Sequence, residues 1–271
     1  MKISLKGTTI YYESFGDGPH TVLFFHGWGM NGESWRPLLS RFPLAGHRLV
    51  VPDLRGFGRS EKPVSGYHID DYMRDAVRLL RALNIPRADV VGHSFGGTGA
   101  LYLAARIPHL VRRVAVIDTI AGAKNTSIDP RVRTQFERIR NLVQKVGDTA
   151  LPTLMMRIWR QSFLTQPSDA MAALQQSAAE SSMRHALLGT LNTILTTDIS
   201  EWMTRLRVPA LIIRGSDDPV LHGGPDGLEA ARTASRVTIA NTGHYPHLED
   251  PDAVSRHLIA FFGAGTPSFA L

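Results

Sequence analysis

The five residues Gly92-His93-Ser94-Phe95-Gly96 constrain this chain more than any others. They follow the short apolar run Asp89-Val90-Val91 and precede a run of helix formers from Ala100 to Arg106. A serine flanked by glycines at the joint of a strand and a helix is the pattern of a nucleophile elbow. The turn is so sharp that it strains the serine backbone, and only glycines two residues to either side leave room for it. Ser94 Oγ then stands clear above the sheet, with a helix N-terminus aimed at the reacting centre. So short a pattern also arises by chance, so its weight rests on what accompanies it in chain order.

Three segments accompany it. The stretch Phe24-Phe25-His26-Gly27-Trp28-Gly29 follows the strand-like Thr21-Val22-Leu23. Acyl transfer needs two N–H donors where a carbonyl oxygen becomes negative. In this arrangement one comes from the residue after the nucleophile, Phe95, and the other from a loop after an early strand, where Trp28 fits. Without the elbow this stretch would be an ordinary Gly-rich turn. Next, the buried-strand pattern Ala210-Leu211-Ile212-Ile213 runs into Arg214-Gly215-Ser216-Asp217-Asp218-Pro219. Its carboxylate pair offers an acid that could hold a base in one tautomer. Asp118, closing the run Val114-Ala115-Val116-Ile117, is a rival acid or else a loop residue. Finally, Val237 to Asn241 leads into Thr242-Gly243-His244-Tyr245-Pro246-His247. His244, on a loop after a strand, is the candidate general base, while His247 reads as structural.

The order nucleophile, acid, base identifies the chain as a member of the α/β-hydrolase superfamily. The resemblance covers nearly everything except the middle, and Asp53-Leu54-Arg55-Gly56-Phe57-Gly58-Arg59-Ser60 resembles that superfamily's loop after its fourth strand. The family pattern puts the acid three residues after Gly215, which selects Asp218 over Asp217. The resemblance implies an α/β fold: a mostly parallel sheet with helices on both faces. The stretch His26 to Asn31 is also similar to the methyl esterases that act on pimeloyl-carrier protein. Those usually carry Trp and Leu at the elbow, where this chain has His93 and Phe95, so their substrate is not carried over.

Composition agrees with a compact enzyme. The chain has 271 residues, 43% hydrophobic and 20% charged, which is ample for one large core. With no cysteine it has no disulfide, thiol nucleophile or cysteine-based metal site. The first fifteen residues alternate and lack a signal peptide's apolar centre, and no apolar run approaches the roughly 20 residues of a membrane span. A cytoplasmic protein is expected. The formal charge of +6 comes mostly from scattered arginines, with no nucleic-acid motif, so a solvated basic surface is the reading. Gly263 to Leu271 reads as a loose tail.

Strands are expected at Lys2–Leu5, Thr8–Phe15, Thr21–Phe25 and Arg48–Pro52. Helices are expected at Ser34–Phe42, Asp70–Leu83, Leu228–Ala234 and Asp252–Phe262. Strand–helix alternation implies a mostly parallel sheet covered on both faces. From Gly122 to Leu206 the alternation stops. Helices are expected at Arg131–Val146, Leu151–Phe163, Ser168–Ala179 and Glu180–Leu195. The division is therefore a hydrolase core at 1–121 and 207–271 and an inserted helical cap at 122–206. Such a cap would bury the reacting serine and shape the pocket. Met155, Met156, Trp159 and Phe163 are candidates for its apolar wall, or else pack within the cap. The first of these helices carries an apolar stripe of Val132, Phe136, Ile139, Val143 and Val146, with Arg131, Arg138 and Lys145 along one edge and Arg133 and Arg140 along the other. They either snorkel over the cap or meet an acidic carrier bearing the acyl substrate.

The departures narrow the chemistry. Epoxide hydrolases and haloalkane dehalogenases of this superfamily need an aspartate at the elbow, and the former also need cap tyrosines. Here the elbow holds Ser94, and 122–206 contains no tyrosine. Hydroxynitrile lyases need a lysine beside the triad, but Lys124 and Lys145 fall at a hinge and on a solvent face. What is left is a serine hydrolase of a carboxylic ester, lactone or thioester, acting on a small-molecule substrate, with no cofactor or metal. The alternatives on the same triad are a C–C bond hydrolase and a cofactor-free perhydrolase or haloperoxidase. The non-enzyme alternative is a ligand receptor.

Overall fold

The computed structural model describes residues 1–42, 46–165, 167–232 and 234–263. The expected loose tail therefore lies outside the described residues from 264 onward. Eight strands form one sheet: β1 (Lys2–Leu5), β2 (Thr8–Phe15), β3 (His20–Phe25), β4 (His47–Pro52), β5 (Ala88–His93), β6 (Val111–Ile117), β7 (Ala210–Gly215) and β8 (Ala234–Ile239). Their order is β1-β2-β4-β3-β5-β6-β7-β8. The β1–β2 and β2–β4 pairs are antiparallel, and every pair from β4 through β8 is parallel.

Successive residues of a strand point to opposite faces, and the apolar runs of the central strands feed two cores. Leu23, Phe25, Val90, Val114, Val116 and Ile212 face one; Val22, Phe24, Val91, Ala115, Ile117 and Ile213 face the other. The first core is covered by α2 (Ile69–Ala82) and α3 (Phe95–Arg106) through Tyr72, Leu79, Leu80 and Leu101. The second is covered by α1 (Arg36–Leu39) and by the C-terminal helix, through Leu38, Val254, Leu258 and Phe262.

Between β6 and β7 come α4 (Pro130–Lys145), α5 (Leu151–Arg160), α6 (Asp169–Glu180), α7 (Arg184–Thr196) and α8 (Ser200–Met203). After β8 follow α9 (Pro246–Glu249) and α10 (Pro251–Gly263). Three expected helices differ. The one at Ser34–Phe42 is a 3₁₀ turn at Gly32–Trp35 followed by the single turn α1. The one at Leu228–Ala234 does not form. Asp226 caps only one turn, Leu228 N–H to Asp226 Oδ1 at 2.7 Å, and the chain then enters β8, whose Arg236 pairs with Asp226 at 2.9 Å. The helix begun at Leu151 ends at Arg160, before Phe163, because the next residues bond the loop that carries His244.

The loop after β4 is held from inside. The fully buried Asp53 carboxylate accepts the N–H groups of Gly32 and Arg59, each at 2.7 Å. Arg55 makes a bidentate, buried pair with Asp75 of α2 at 2.6 and 2.8 Å.

Candidate active site

Ser94 stands between the end of β5 and the start of α3 at φ 49°, ψ −120°, in the left-handed half of backbone space. Strain of this kind persists only where the surroundings fix it. Here Ser94 N–H donates to Ile117 O at 2.9 Å, and Ser94 O accepts from Gly97 N at 2.9 Å and Thr119 Oγ1 at 2.6 Å. A Cβ on Gly92 would lie 2.5 Å from Gly96 O, which is why glycine is needed there.

The structure brings Ser94, His244 and Asp218 into one line. His244 Nε2 is 3.1 Å from Ser94 Oγ, and His244 Nδ1 is 2.8 Å from Asp218 Oδ2. A carboxylate only accepts, so Nδ1 carries the proton and Nε2 is free to receive one from the hydroxyl. The other oxygen of Asp218 accepts from the N–H groups of Val220 at 2.7 Å and Leu221 at 3.1 Å. Burial pushes the Asp218 carboxyl up, but His244 and these two N–H groups outweigh it and hold it below the usual carboxylate range. Asp217, the adjacent alternative, is exposed and bonded to Ser216 Oγ.

The His244 loop is tied from several sides. Its own N–H donates to Ser162 O at 2.8 Å, Gly243 N–H donates to Glu249 at 2.9 Å, and Phe163 stacks on Tyr245 at 4.7 Å. His93, inside the elbow, donates from Nε2 to His244 O at 2.8 Å. Burial above all, then the neighbouring His247 and His244, keeps His93 neutral by driving its pKa well down. Neither His93 nor Ser162 is recognisable from sequence as a support, because His93 acts through its ring on the His244 carbonyl and Ser162 through its own carbonyl.

The Trp28 loop passes directly over the elbow. A Cβ on Gly27 would lie 2.6 Å from His93 Nδ1 and 3.4 Å from Ser94 Cβ. The indole of Trp28 donates to Leu187 O of α7 at 3.1 Å, fixing the loop against the inserted helices. Phe95 is the first residue of α3, where backbone N–H groups have no intrahelical acceptor.

A narrow cavity of about 10 Å³ opens at Ser94. Phe95, Ile120, Phe136, Ile194 and Leu221 supply its apolar lining, with Asp118 at its margin. Met155, Met156 and Trp159 are not part of that lining. Met155 and Trp159 are buried against Gly29 instead, and Met156 is partly buried in the surrounding core. Phe136 belongs to the apolar stripe of α4; helical periodicity marked it as inward-facing but not as facing the serine. Of the basic residues flanking the stripe of α4, Arg131 pairs with Asp129 at 2.6 Å and Arg133, on the opposite edge, with Glu137 at 3.0 Å, while Arg138 lines an open groove with Arg157 and Ile158 of α5. Among the described residues no helix is long and apolar enough to cross a membrane.

The family described as alpha/beta hydrolase fold matches residues 20–251. The chain is 25% identical to a bifunctional esterase/perhydrolase of Acinetobacter calcoaceticus, over 94% of this chain and 96% of that one. It is 28% identical to a 2-(acetamidomethylene)succinate hydrolase of Mesorhizobium japonicum, over 97% and 95%. Among solved structures, the enol-lactonase of Burkholderia xenovorans superposes with a TM-score of 0.82 at 24% identity, covering 97% of this chain and all of that one; this likeness bears on the fold.

Proposed function

The chain belongs to the α/β-hydrolase superfamily, and we propose that within it the protein hydrolyses carboxylic esters through an acyl-enzyme on Ser94. One observation carries the proposal: the continuous path from Ser94 Oγ through His244 to Asp218, at 3.1 and 2.8 Å. Ser94 Oγ attacks the ester carbonyl and passes its proton to His244 Nε2. Asp218 steadies the resulting imidazolium through the Nδ1–H bond. The N–H groups of Trp28 and Phe95 receive the oxyanion, each worth about 3 kcal/mol to the transition state. The intermediate collapses, and His244 returns the proton to the departing alcohol. Water then attacks the acyl-enzyme, giving its proton to His244, and Ser94 leaves with that proton as the acid is released.

Residues 122–206 act as the cap in this reading. The small apolar cavity favours a compact acyl group, and Phe136, Ile194 and Leu221 set its length. A second reading is favoured by the esterase/perhydrolase relative: hydrogen peroxide in place of water at the second step would give a peracid. A fluorophosphonate probe should label the wild type at Ser94. Turnover of p-nitrophenyl esters should fall as the acyl chain lengthens, and Ser94→Ala should lose it by several orders of magnitude. Retained turnover in purified Ser94→Ala overturns the proposal.

A further inference from the structure

A second carboxyl group lies against the proposed acid and has no part in the scheme above. Asp118 follows the last residue of β6, is fully buried, and borders the cavity at Ser94. Its backbone is left-handed at φ 42°, a conformation that Asp and Asn tolerate better than most residues. One ligand-type atom from each of Asp118, Asp218 and His244 falls within 4.8 Å of the others. The carboxyl groups of Asp118 and Asp218 therefore face each other across no more than 4.8 Å on one buried edge of the sheet.

Two carboxylates so close cannot both keep their charge cheaply away from water, so what matters is which one holds the proton. Asp218 has three donors: the N–H groups of Val220 and Leu221, and His244 Nδ1–H. Among the described residues Asp118 has one, the Gly215 N–H, shared between its oxygens at 3.1 and 3.3 Å. Arg214, the cation whose charge acts on Asp118, is itself held by Asp226 at 2.9 Å and by Thr119 O at 3.0 Å. Burial, then Asp218, raises the Asp118 carboxyl far above the usual range, against the weaker pull of Arg214 and Gly215.

We propose that Asp118 is a positioning residue that keeps its proton at neutral pH and donates it in a hydrogen bond to the Asp218 carboxylate. This rests on the ester-hydrolase reading of Ser94, His244 and Asp218. The carboxyl pair then carries a single negative charge throughout the reaction. The donated bond fixes the orientation of Asp218 and draws off part of its charge. His244 is held less tightly in its protonated form and serves as a base to lower pH. The proton of Asp118 does not transfer in any step; only the Ser94 proton moves, to His244 and back.

The test uses the full chain as wild type, Ser94→Ala, Asp118→Asn and Asp118→Gly, each checked for folding by circular dichroism. Asparagine keeps a donor toward Asp218, an acceptor for Gly215 and a tolerated left-handed backbone. Glycine removes the carboxyl and leaves the backbone free. Three readouts are needed: the infrared C=O stretch of protonated carboxyl groups at neutral pH, the imidazole titration of His244 followed by NMR, and the pH profile of kcat/KM for p-nitrophenyl acetate. We expect Asp118→Asn to lose a protonated-carboxyl band present in the wild type, with titration and profile unmoved. We expect Asp118→Gly to shift the triad's titration and the acid limb of the profile to higher pH, and to lower kcat roughly tenfold to a hundredfold, as for loss of a bond to a charged group.

A purely structural Asp118 would leave titration and profile unmoved in the glycine variant. An ionised Asp118 would show no band to lose, and its replacement by asparagine would move the titration down by about one pH unit or more. Either result overturns the proposal. Turnover in Ser94→Ala, or none in the wild type, would instead refute the ester reading, while the infrared and NMR measurements would still decide the state of Asp118.

Discussion

Replacing His247 with phenylalanine should remove about one proton's worth of acid sensitivity from this fold. His247 lies in α9, fully buried, with its ring 4.6 Å from Trp35 and 4.5 Å from His93. Neither ring nitrogen has a hydrogen-bond partner among the described residues. Burial first, then His244, lowers its pKa from 6.5 to about 3. The folded protein therefore holds this imidazole neutral, whereas the unfolded chain binds a proton below pH 6.5. The stability it contributes is complete above that pH and is lost as the pH falls toward 3, at ~1.4 kcal/mol per pH unit and ~5 kcal/mol in all. At pH 7.5 His247→Phe removes an unsatisfied polar ring, a gain of about 1–3 kcal/mol. Fitting the larger ring costs about 1–3 kcal/mol, so the two nearly cancel. At pH 4.5 the variant should be ahead by a further ~3 kcal/mol. Urea unfolding at fixed ionic strength between pH 4.5 and 7.5, read by tryptophan fluorescence and circular dichroism, measures both. His26 and His93, also held neutral chiefly by burial, remain in the variant, so the difference in slope isolates His247. Equal pH slopes for wild type and variant would refute the reasoning.

The remaining expectations concern the site and its supports. His244→Ala should match Ser94→Ala in esterase assays, Asp218→Asn should cost on the order of 10⁴-fold, and the exposed Asp217→Asn should cost little. Asp75→Ala strands the buried Arg55 guanidinium and should destabilise by about 3–5 kcal/mol in chemical unfolding. Gly92→Ala places a Cβ 2.5 Å from Gly96 O and 2.6 Å from Gly97 Cα, and should abolish fluorophosphonate labelling even where folded protein is recovered. Phe136→Ala should open the cavity and move the preference among p-nitrophenyl esters toward longer acyl chains.

The parts of the molecule legible in the sequence are those fixed by short-range geometry. The glycines around Ser94 are demanded by a single turn. The apolar runs of β3, β5, β6 and β7 mark strands buried on both faces, and the carboxylate after Gly215 sits one loop beyond a strand. What the sequence hid depends on what lies across from a residue. Periodicity put Phe136 on the inward face of its helix and composition offered Met155 as a pocket wall, but Phe136 lines the cavity at the serine and Met155 covers Gly29. Leu228 to Arg232 are helix formers by composition, yet pairing between β7 and β8 claims the chain immediately after them.

Asp118 shows the same limit at the centre of the site. As a lone residue at the end of a strand it reads as a rival acid or a loop residue. Its significance comes from the sheet: β6 and β7 are hydrogen-bonded neighbours, with Ile117 opposite Ile213, although all the helices α4 to α8 separate them in sequence. Parallel neighbours end on the same edge of a sheet, so the residue after β6 and the loop after β7 must meet there. Asp118 N–H bonds Ile213 O at 2.9 Å, and its side chain takes the Gly215 N–H at the mouth of the loop that carries Asp218. Two acidic residues far apart in the chain are thus brought onto one buried edge, where their proximity forces one of them to keep a proton. The inserted helices that hide this pairing from a linear reading also cover the edge from water, which is what makes the second carboxyl group consequential.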